Sequence, residues 1–272
     1  MRAELAVIGG GNMAQAIMFG AIDAGVIEPG ALVVCEPDIA KHGAFASRGI
    51  RATASHADAL GALSCQGRVL LAVKPQSLAN AAEQLVPHLD AARAVVTILA
   101  GTRIETIQRV LGGPSRAVVR VMPNTPARVR RGITALAAGP GVSADDRAFA
   151  LELFGAVGRV VEIDESLMDA FTALAGSGPA YLFHLAESMI RAGLDMGFVP
   201  ETADTVVRQT LLGAAALLAE EQGRSPEELR ASVTSKGGTT EAALRVLEER
   251  GVASAVAAAI VAGRDRGREL GA

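Results

Sequence analysis

Leu5-Ala6-Val7-Ile8-Gly9-Gly10-Gly11-Asn12-Met13-Ala14 opens the chain with a short apolar run that leads into a glycine turn. Apolar residues at helical spacing follow as far as Gly25. The order is strand, glycine turn, helix, and Gly9, Gly11 and Ala14 fit the G-x-G-x-x-G/A fingerprint of dinucleotide-binding folds. The first glycine of that fingerprint makes the turn, and the second lets the backbone approach a pyrophosphate. The stretch predicts a Rossmann-type fold that binds a dinucleotide.

Strand-like runs alternate with helical segments through the first half of the chain. The later runs are 31–35, 69–73, 94–99, 117–122, 133–137 and 158–162. They are nearly continuous and apolar, which predicts a parallel sheet covered by helices on both faces. Ligands of such sheets lie beyond the carboxyl ends of the strands. We therefore expect Lys74 and Asn124, which follow two of these runs, to hold the nicotinamide end of the cofactor.

The second strand ends at Glu36-Pro37-Asp38. An acidic residue at this point accepts hydrogen bonds from the adenosine ribose and repels a 2′-phosphate, so Glu36 favours NADH over NADPH. Two alternatives stay open. Arg48, Arg51 or His56 could still reach a phosphate, and Glu36 could be a solvated strand end.

The second half is helical almost throughout, from Asp164 onward, with one helix predicted over 165–175. Ser225-Pro226-Glu227-Glu228 predicts a further helix start with a capping box. We place the domain boundary after the last strand, with a dinucleotide-binding domain at 1–162 and an all-helical domain at 163–272. Gly176-Ser177-Gly178-Pro179 separates two apolar helices, and it either lets helices cross closely or exposes backbone amides to a ligand. The many small apolar residues of the helical domain predict a dimer.

Val233-Thr234-Ser235-Lys236-Gly237-Gly238-Thr239-Thr240 runs from a glycine pair directly into another helical segment. We expect Thr239 or Thr240 to N-cap that helix, whose free N–H groups favour an anion. With the Ser235 hydroxyl added, the stretch predicts a small cup for a carboxylate or a phosphate. The alternative is an ordinary loop before a capped helix.

Composition narrows the class of protein. Half of the 272 residues are hydrophobic, and the formal net charge of −3 gives no electrostatic footprint for nucleic acid. Cys35 and Cys65 are too few for a disulfide framework and suit a reducing compartment. The apolar run 252–262 is too short to span a membrane, and the start of the chain does not read as a signal peptide. We expect a cytoplasmic protein.

Five motifs together resemble pyrroline-5-carboxylate reductase. They are Gly-Gly-Gly-Asn-Met-Ala at 9–14, Ala-Val-Lys-Pro-Gln at 72–76, Val-Met-Pro-Asn-Thr-Pro at 121–126, Ala-Gly-Ser-Gly-Pro-Ala-Tyr at 175–181, and the whole of 233–240. The resemblance implies an α/β Rossmann-type domain followed by an all-α dimerisation domain, often assembled into a ring of dimers. It also implies that NADPH or NADH reduces a cyclic imine to L-proline.

By position, the resemblance also implies site residues. The cofactor would be lined by Ile8, Gly9, Gly10, Gly11, Asn12 and Met13, by the turn Cys35, Glu36 and Pro37, and by Ala72, Val73, Lys74, Pro75 and Ala100. The substrate pocket would be lined by Glu221, Ser235, Gly238, Thr239 and Thr240, with Ser177 and Gly178 nearby. His56, near the adenosine ribose, and Glu36 depart from the family pattern, as does Lys236.

The expected chemistry agrees with the residues present. A protonated imine is already electrophilic, so hydride delivery needs positioning more than a strong acid. The sequence accordingly shows no catalytic dyad and no metal cluster. As a hypothesis, Thr240 is the catalytic residue and hydrogen-bonds the ring nitrogen, while neighbouring amides hold the carboxylate.

Two other functions compete with this one. A β-hydroxyacid dehydrogenase would carry a catalytic lysine on a helix of the second domain, but the second half has only Lys236, in a loop. A nucleotide-binding regulatory protein without turnover is the other candidate.

Overall fold

The computed structural model of the chain describes residues 2–271, with the backbone alone at Ala91. By compactness the chain divides into two units. Unit 1 runs as far as Ser177 and resumes at Gly263, and unit 2 is Gly178–Ala262. The compact division falls between Ser177 and Gly178, later in the chain than the predicted domain boundary. That boundary at 162 stays a prediction.

Unit 1 is built on one sheet, whose described strands have the order β3-β2-β1-β4-β5-β6-β7-β8. The strands are β1 Ala3–Ile8, β2 Leu32–Cys35, β3 Arg51–Thr53, β4 Leu63–Leu71, β5 Val95–Thr97, β6 Val118–Pro123, β7 Gly132–Ala138 and β8 Gly158–Glu162. The reversal of strand order occurs at β1, which pairs with both β2 and β4. This is the point at which open α/β sheets bind their ligands.

The sheet is parallel except at one pair, because β7 runs antiparallel to β6. The sheet is thus predominantly parallel, as predicted, with one antiparallel pair that the strand pattern did not indicate. A short turn, Thr125–Val129, joins these two strands. A parallel pair would need a crossover of a dozen or more residues, usually with a helix. The three-residue β3 is a strand that the sequence analysis missed.

Helices cover both faces of the sheet, as predicted. Those of unit 1 are α1 Asn12–Asp23, α2 His42–Ala46, α3 His56–Gly61, α4 Leu78–Leu85, α5 Ile104–Val110, α6 Ala144–Gly155 and α7 Met168–Phe171. Leu5 and Val7 pack in a cluster with residues of α1 and α6, while Ala6 and Ile8 pack with α3, α4 and α5. Alternate side chains of β1 thus enter two separate cores.

The segment after β8 differs from the single helix predicted over 165–175. Only Met168–Phe171 is α-helical, and Thr172–Gly176 forms a π-helical turn. The Ser177 N–H donates to the Thr172 carbonyl at 2.8 Å and closes this wider turn.

Unit 2 is helical, as predicted. Its elements are α8 Gly178–Asp195, α9 Pro200–Glu220, α10 Pro226–Ser232, α11 Thr239–Glu249 and the part of α12 (Val252–Leu270) that lies before Gly263. Within it, α8 packs against α9. Ser225 forms the predicted capping box with Glu228 at the start of α10. Among the described residues, no helix is long and apolar enough to cross a membrane.

Candidate functional site

Gly9 directly follows β1 and lies against the ends of β2 and β4, where the strand order reverses. Its backbone has φ +100°, and an added Cβ would lie 2.8 Å from the carbonyl oxygen of Ala72. Its N–H donates to the Cys35 carbonyl at 2.9 Å. Any side chain here would force the end of β1 away from β4, so the tight turn requires glycine.

Gly11 leaves the start of α1 open. It is the N-cap residue of α1, and an added Cβ would meet nothing within 4 Å. The first N–H groups of a helix have no intrahelical partner, and together with the helix dipole they attract an anion. An open backbone next to these N–H groups is the arrangement that a pyrophosphate needs. The residues present therefore fit a dinucleotide cofactor.

Glu36 is fixed beneath the glycine turn. Its side chain is only 8% exposed; Oε2 accepts from the Gly10 N–H at 2.9 Å and Oε1 accepts from the Asp38 N–H at 3.0 Å. Lys41 places its Nζ 3.5 Å from Oε1. The alternative of a solvated strand end is therefore wrong. The sequence analysis missed Lys41, which also pairs with Asp38 three residues before it.

His56 is the first residue of α3, directly after β3, and it lies partly buried. Burial lowers the pKa of His56, and its hydrogen bond with Gln84 opposes this only in part. Its Nδ1 is buried and has no hydrogen-bond partner among the described residues. The lowered pKa favours the neutral ring, and the buried Nδ1 is shielded from solvent.

The remaining predicted cofactor residues follow strands of the same parallel block. Leu71 pairs with Ile8 and with Thr97, so the carboxyl ends of β1, β4 and β5 lie side by side. Ala72 and Val73 are half-buried after β4, while Lys74, Pro75 and, after β5, Ala100 are exposed. The structure thus places these predicted cofactor residues together, beyond the carboxyl ends of the strands.

Asn124 follows the carboxyl end of β6, but its side chain is bound to the protein backbone. It is 8% exposed, its Nδ2 donates to the Ala175 carbonyl at 3.0 Å, and its Oδ1 accepts from the Ile133 N–H at 2.9 Å. A direct contact with the nicotinamide stays a prediction for this residue.

A cavity of about 460 Å³ runs along α1, between that helix and the Thr125–Val129 turn. Asn12 lies in its lining together with Phe19, Arg128 and Arg130. Asn12 is the one residue of this lining that was predicted to contact the cofactor.

The predicted cup of unit 2 forms a turn before α11. Gly238, with extended backbone at φ −87° and ψ 173°, is the N-cap of this helix. The prediction that Thr239 or Thr240 caps it is therefore wrong. An added Cβ on Gly238 would lie 2.4 Å from the Ser235 Oγ and 3.0 Å from the Ser235 carbonyl oxygen, so a larger residue would require Ser235 to move.

This arrangement puts Thr239 and Thr240 in the first turn of α11, where backbone N–H groups have no intrahelical partner. The Gly237 N–H is already taken, because it donates to the Glu241 Oε2 at 2.8 Å. The Thr239 and Thr240 amides therefore remain as donors for an anion, with their hydroxyls beside them.

The other predicted substrate residues lie elsewhere in the chain. Glu221 follows the end of α9, and its Oε2 accepts from the Arg224 Nη1 at 2.8 Å. Ser177 closes the first segment of unit 1, and Gly178 begins α8 in unit 2. Among the described residues, no group of three or more His, Cys, Asp or Glu side chains is placed to hold a metal ion.

Comparison with known proteins finds relatives that match this chain over its entire length. The chain is 39% identical to pyrroline-5-carboxylate reductase of Synechocystis sp., over 100% of this chain and 99% of that protein. It is 38% identical to the Methanosarcina acetivorans pyrroline-5-carboxylate reductase, over 98% of each. The chain belongs to the pyrroline-5-carboxylate reductase family.

Solved structures of pyrroline-5-carboxylate reductases have the same fold. One from Coxiella burnetii is 34% identical and superposes with a TM-score of 0.90 over 100% of both chains. The Plasmodium falciparum enzyme, solved with NADP bound, is 26% identical with a TM-score of 0.87, over 99% of this chain and 98% of that one. These likenesses confirm the predicted Rossmann-type domain followed by an all-helical domain.

Two family models match separate parts of the chain. One, described as NADP oxidoreductase, coenzyme F420-dependent, matches residues 4–101, and one described as pyrroline-5-carboxylate reductase dimerisation matches 165–270. The chain is an NAD(P)H-dependent oxidoreductase that forms a homo-oligomer. The β-hydroxyacid dehydrogenase alternative is thereby excluded.

Proposed function

We propose that this chain reduces 1-pyrroline-5-carboxylate to L-proline with NADH or NADPH, the last step of proline biosynthesis. The observation that carries the proposal is 39% identity, along the whole chain, to a protein named for this activity. The glycine turn supports it, because Gly9 and Gly11 leave the backbone approach that a dinucleotide needs.

The cofactor end is assigned to unit 1. Gly11 and Asn12 hold the pyrophosphate at the start of α1, beside Gly10, whose own N–H donates to Glu36. Ala72–Pro75 with Ala100 flank the nicotinamide. When bound, the nicotinamide supplies the hydride that reduces the carbon of the C=N bond. His56, at the start of α3, is assigned to the adenosine ribose end of the cofactor.

The substrate end is assigned to the cup before α11. The amides of Thr239 and Thr240 and the Ser235 hydroxyl donate to the substrate carboxylate. The Thr240 hydroxyl accepts a hydrogen bond from the protonated ring nitrogen and so orients the imine. Each hydrogen bond to a charged group contributes about 1.5–3 kcal/mol. Gly238, Glu221, Ser177 and Gly178 complete the proposed pocket.

We propose that NADH is the preferred cofactor. Backbone amides hold both oxygens of Glu36, so its negative charge cannot swing away from the end of β2. A 2′-phosphate placed there would face this fixed charge. Lys41 offsets part of the repulsion, because its Nζ lies 3.5 Å from the carboxylate. The preference is therefore moderate.

The proposed assembly is a homodimer, with several dimers forming a ring. The apolar side chains that unit 2 exposes, such as Phe183 and Leu212, support the dimer. We propose the cytoplasm as its location, since Cys35 and Cys65 are both free thiols.

The test is to add pyrroline-5-carboxylate to the purified chain with NADH or NADPH, following nicotinamide absorbance and identifying the product. The expected result is one L-proline formed for each cofactor oxidised, and a higher kcat/KM with NADH. A chain that binds the cofactor but oxidises neither form with this imine would contradict the proposed function.

A further inference from the structure

The π-helical turn of unit 1 lies against the end of β6. Asn124, the residue after β6, donates from Nδ2 to the Ala175 carbonyl inside this turn at 3.0 Å. The Cε of Met122, on the same strand, would lie 3.2 Å from a Cβ added to Gly176. Two residues at the end of one strand therefore hold the last two residues of the turn.

The Ala175 carbonyl needs a donor from outside the ordinary helical ladder. In an α-helix its partner would be the N–H of the residue four positions later, which is Pro179. Proline has no N–H. A fully buried carbonyl left unpaired costs about 1–3 kcal/mol, and the partly buried Ala175 carbonyl would lose some of this without a partner. The Asn124 amide supplies the missing donor from a position 51 residues away in the chain.

The other atom of the amide anchors Asn124 itself. Its Oδ1 accepts from the Ile133 N–H on β7 at 2.9 Å. The side chain thus bridges a strand of the sheet and the π turn. This bridge requires one hydrogen-bond acceptor and one donor on a short side chain. Asparagine has both, whereas aspartate at neutral pH has no donor.

We infer that Asn124 is a positioning residue for the substrate, because it fixes the π turn and with it the backbone of Ser177. π turns recur at functional sites, where they redirect the residues that follow. The inference rests on the proposed function, in which Ser177 lies in the imine pocket. It replaces the expected contact between Asn124 and the nicotinamide by an indirect action on the substrate.

A purely structural amide in the same unit provides the matched control. Gln108 is also 8% exposed, and its Nε2 donates to the carbonyls of Pro114 and Arg116 at 3.1 and 2.9 Å. Gln108 stabilises the loop that precedes β6, whereas Asn124 stabilises the π turn that lies against the end of β6. Losing either donor should lower stability, but only Asn124 is placed to affect the substrate.

The experiment compares Asn124→Asp with Gln108→Glu. Each change keeps the shape and removes the N–H donor. For Asn124→Asp we expect kcat/KM for pyrroline-5-carboxylate to fall about 30-fold, since misplacement by 1 Å can cost 100-fold. The NAD(P)H dissociation constant, measured by fluorescence titration, should stay within about twofold, because no hydrogen bond to the cofactor is removed. Gln108→Glu should leave both quantities unchanged.

Other outcomes overturn the inference. Equal imine kinetics in the two variants would make Asn124 merely structural, and weaker NAD(P)H binding in Asn124→Asp alone would return it to the cofactor site. If Asn124→Asp does not fold, Asn124→Ala is judged by the same two quantities. An inactive wild-type chain would contradict the proposed function instead, so the two failures are distinct.

Discussion

The two units of the chain treat their large apolar side chains in opposite ways. In unit 1, Phe154 and Leu5 are fully buried, and helices cover both faces of the sheet. In unit 2, Phe183 and Leu212 are 63% and 65% exposed although they lie on long regular helices. Apolar surface of this kind marks an interface. Unit 1 therefore has a complete core within one chain, and we propose that a second copy covers the exposed apolar side chains of unit 2.

This difference matters for function because the two ends of the reaction are assigned to different units. The glycine turn and Glu36 are held by contacts within unit 1. The Ser235–Thr240 cup belongs to unit 2. We therefore expect cofactor binding to survive changes that separate the copies, and imine reduction to be lost.

The largest effect is expected from a charge on the exposed face of unit 2. Leu212→Glu would bury a carboxylate in a symmetric interface, which should weaken self-association about 1,000-fold, or ~4 kcal/mol. Sedimentation velocity over a range of concentrations measures this. Val129→Glu is the control, since Val129 is 69% exposed but lies in unit 1. Equal effects of the two changes would remove the distinction between the units.

Next in size is the response of unit 1 to a side chain in the glycine turn. Gly9→Ala places a Cβ against the Ala72 carbonyl at a positive φ, and we expect NAD(P)H to bind about 100-fold more weakly. Fluorescence titration reports the affinity. Gly25→Ala is the control, because Gly25 has φ +71° but no neighbour within 4 Å of an added Cβ. Normal binding by Gly9→Ala would show that the close approach is unnecessary.

A smaller effect is expected in the substrate cup. Thr240→Ala removes the proposed hydrogen bond to the ring nitrogen and should lower kcat/KM for the imine about 30-fold, or ~2 kcal/mol. NAD(P)H binding should not change. Thr234→Ala serves as control, since the Thr234 hydroxyl donates to the Arg230 carbonyl instead. Unaltered imine kinetics in Thr240→Ala would rule out its catalytic role.

The smallest effect concerns the choice of cofactor. Glu36→Gln keeps the size of the side chain and removes its charge, so the ratio of kcat/KM for NADH over NADPH should fall about tenfold. Asp38→Asn, at an exposed acid two residues later, should leave the ratio unchanged. A ratio that is the same in wild type and Glu36→Gln would mean that this carboxylate does not select the cofactor.

Local patterns account for what the sequence could predict. The apolar run, the glycines and the helical spacing at 5–25 all lie within one βα unit, so strand, turn and helix were readable together. The position of the cofactor residues beyond the carboxyl ends of the strands could be predicted from the parallel arrangement. For the same reason the capping box at Ser225 and Glu228 was predicted and confirmed.

Contacts between distant residues account for what it could not. Strand β3 has three residues and little apolar content, and it exists because it pairs with β2. The bond between Asn124 and Ala175 leaves no periodic signal in either segment. Gly238 caps α11 instead of Thr239 or Thr240, and residue preference could not decide between them because glycine and threonine are about equally good N-caps.

A dilution series of the wild-type chain tests the contrast between the units most directly. Self-association, NAD(P)H binding and the rate of imine reduction per chain would be measured in the same samples. The account predicts that the rate falls together with the associated fraction while the NAD(P)H dissociation constant stays constant. Full imine reduction by separated single chains, or cofactor binding that disappears with association, would contradict it.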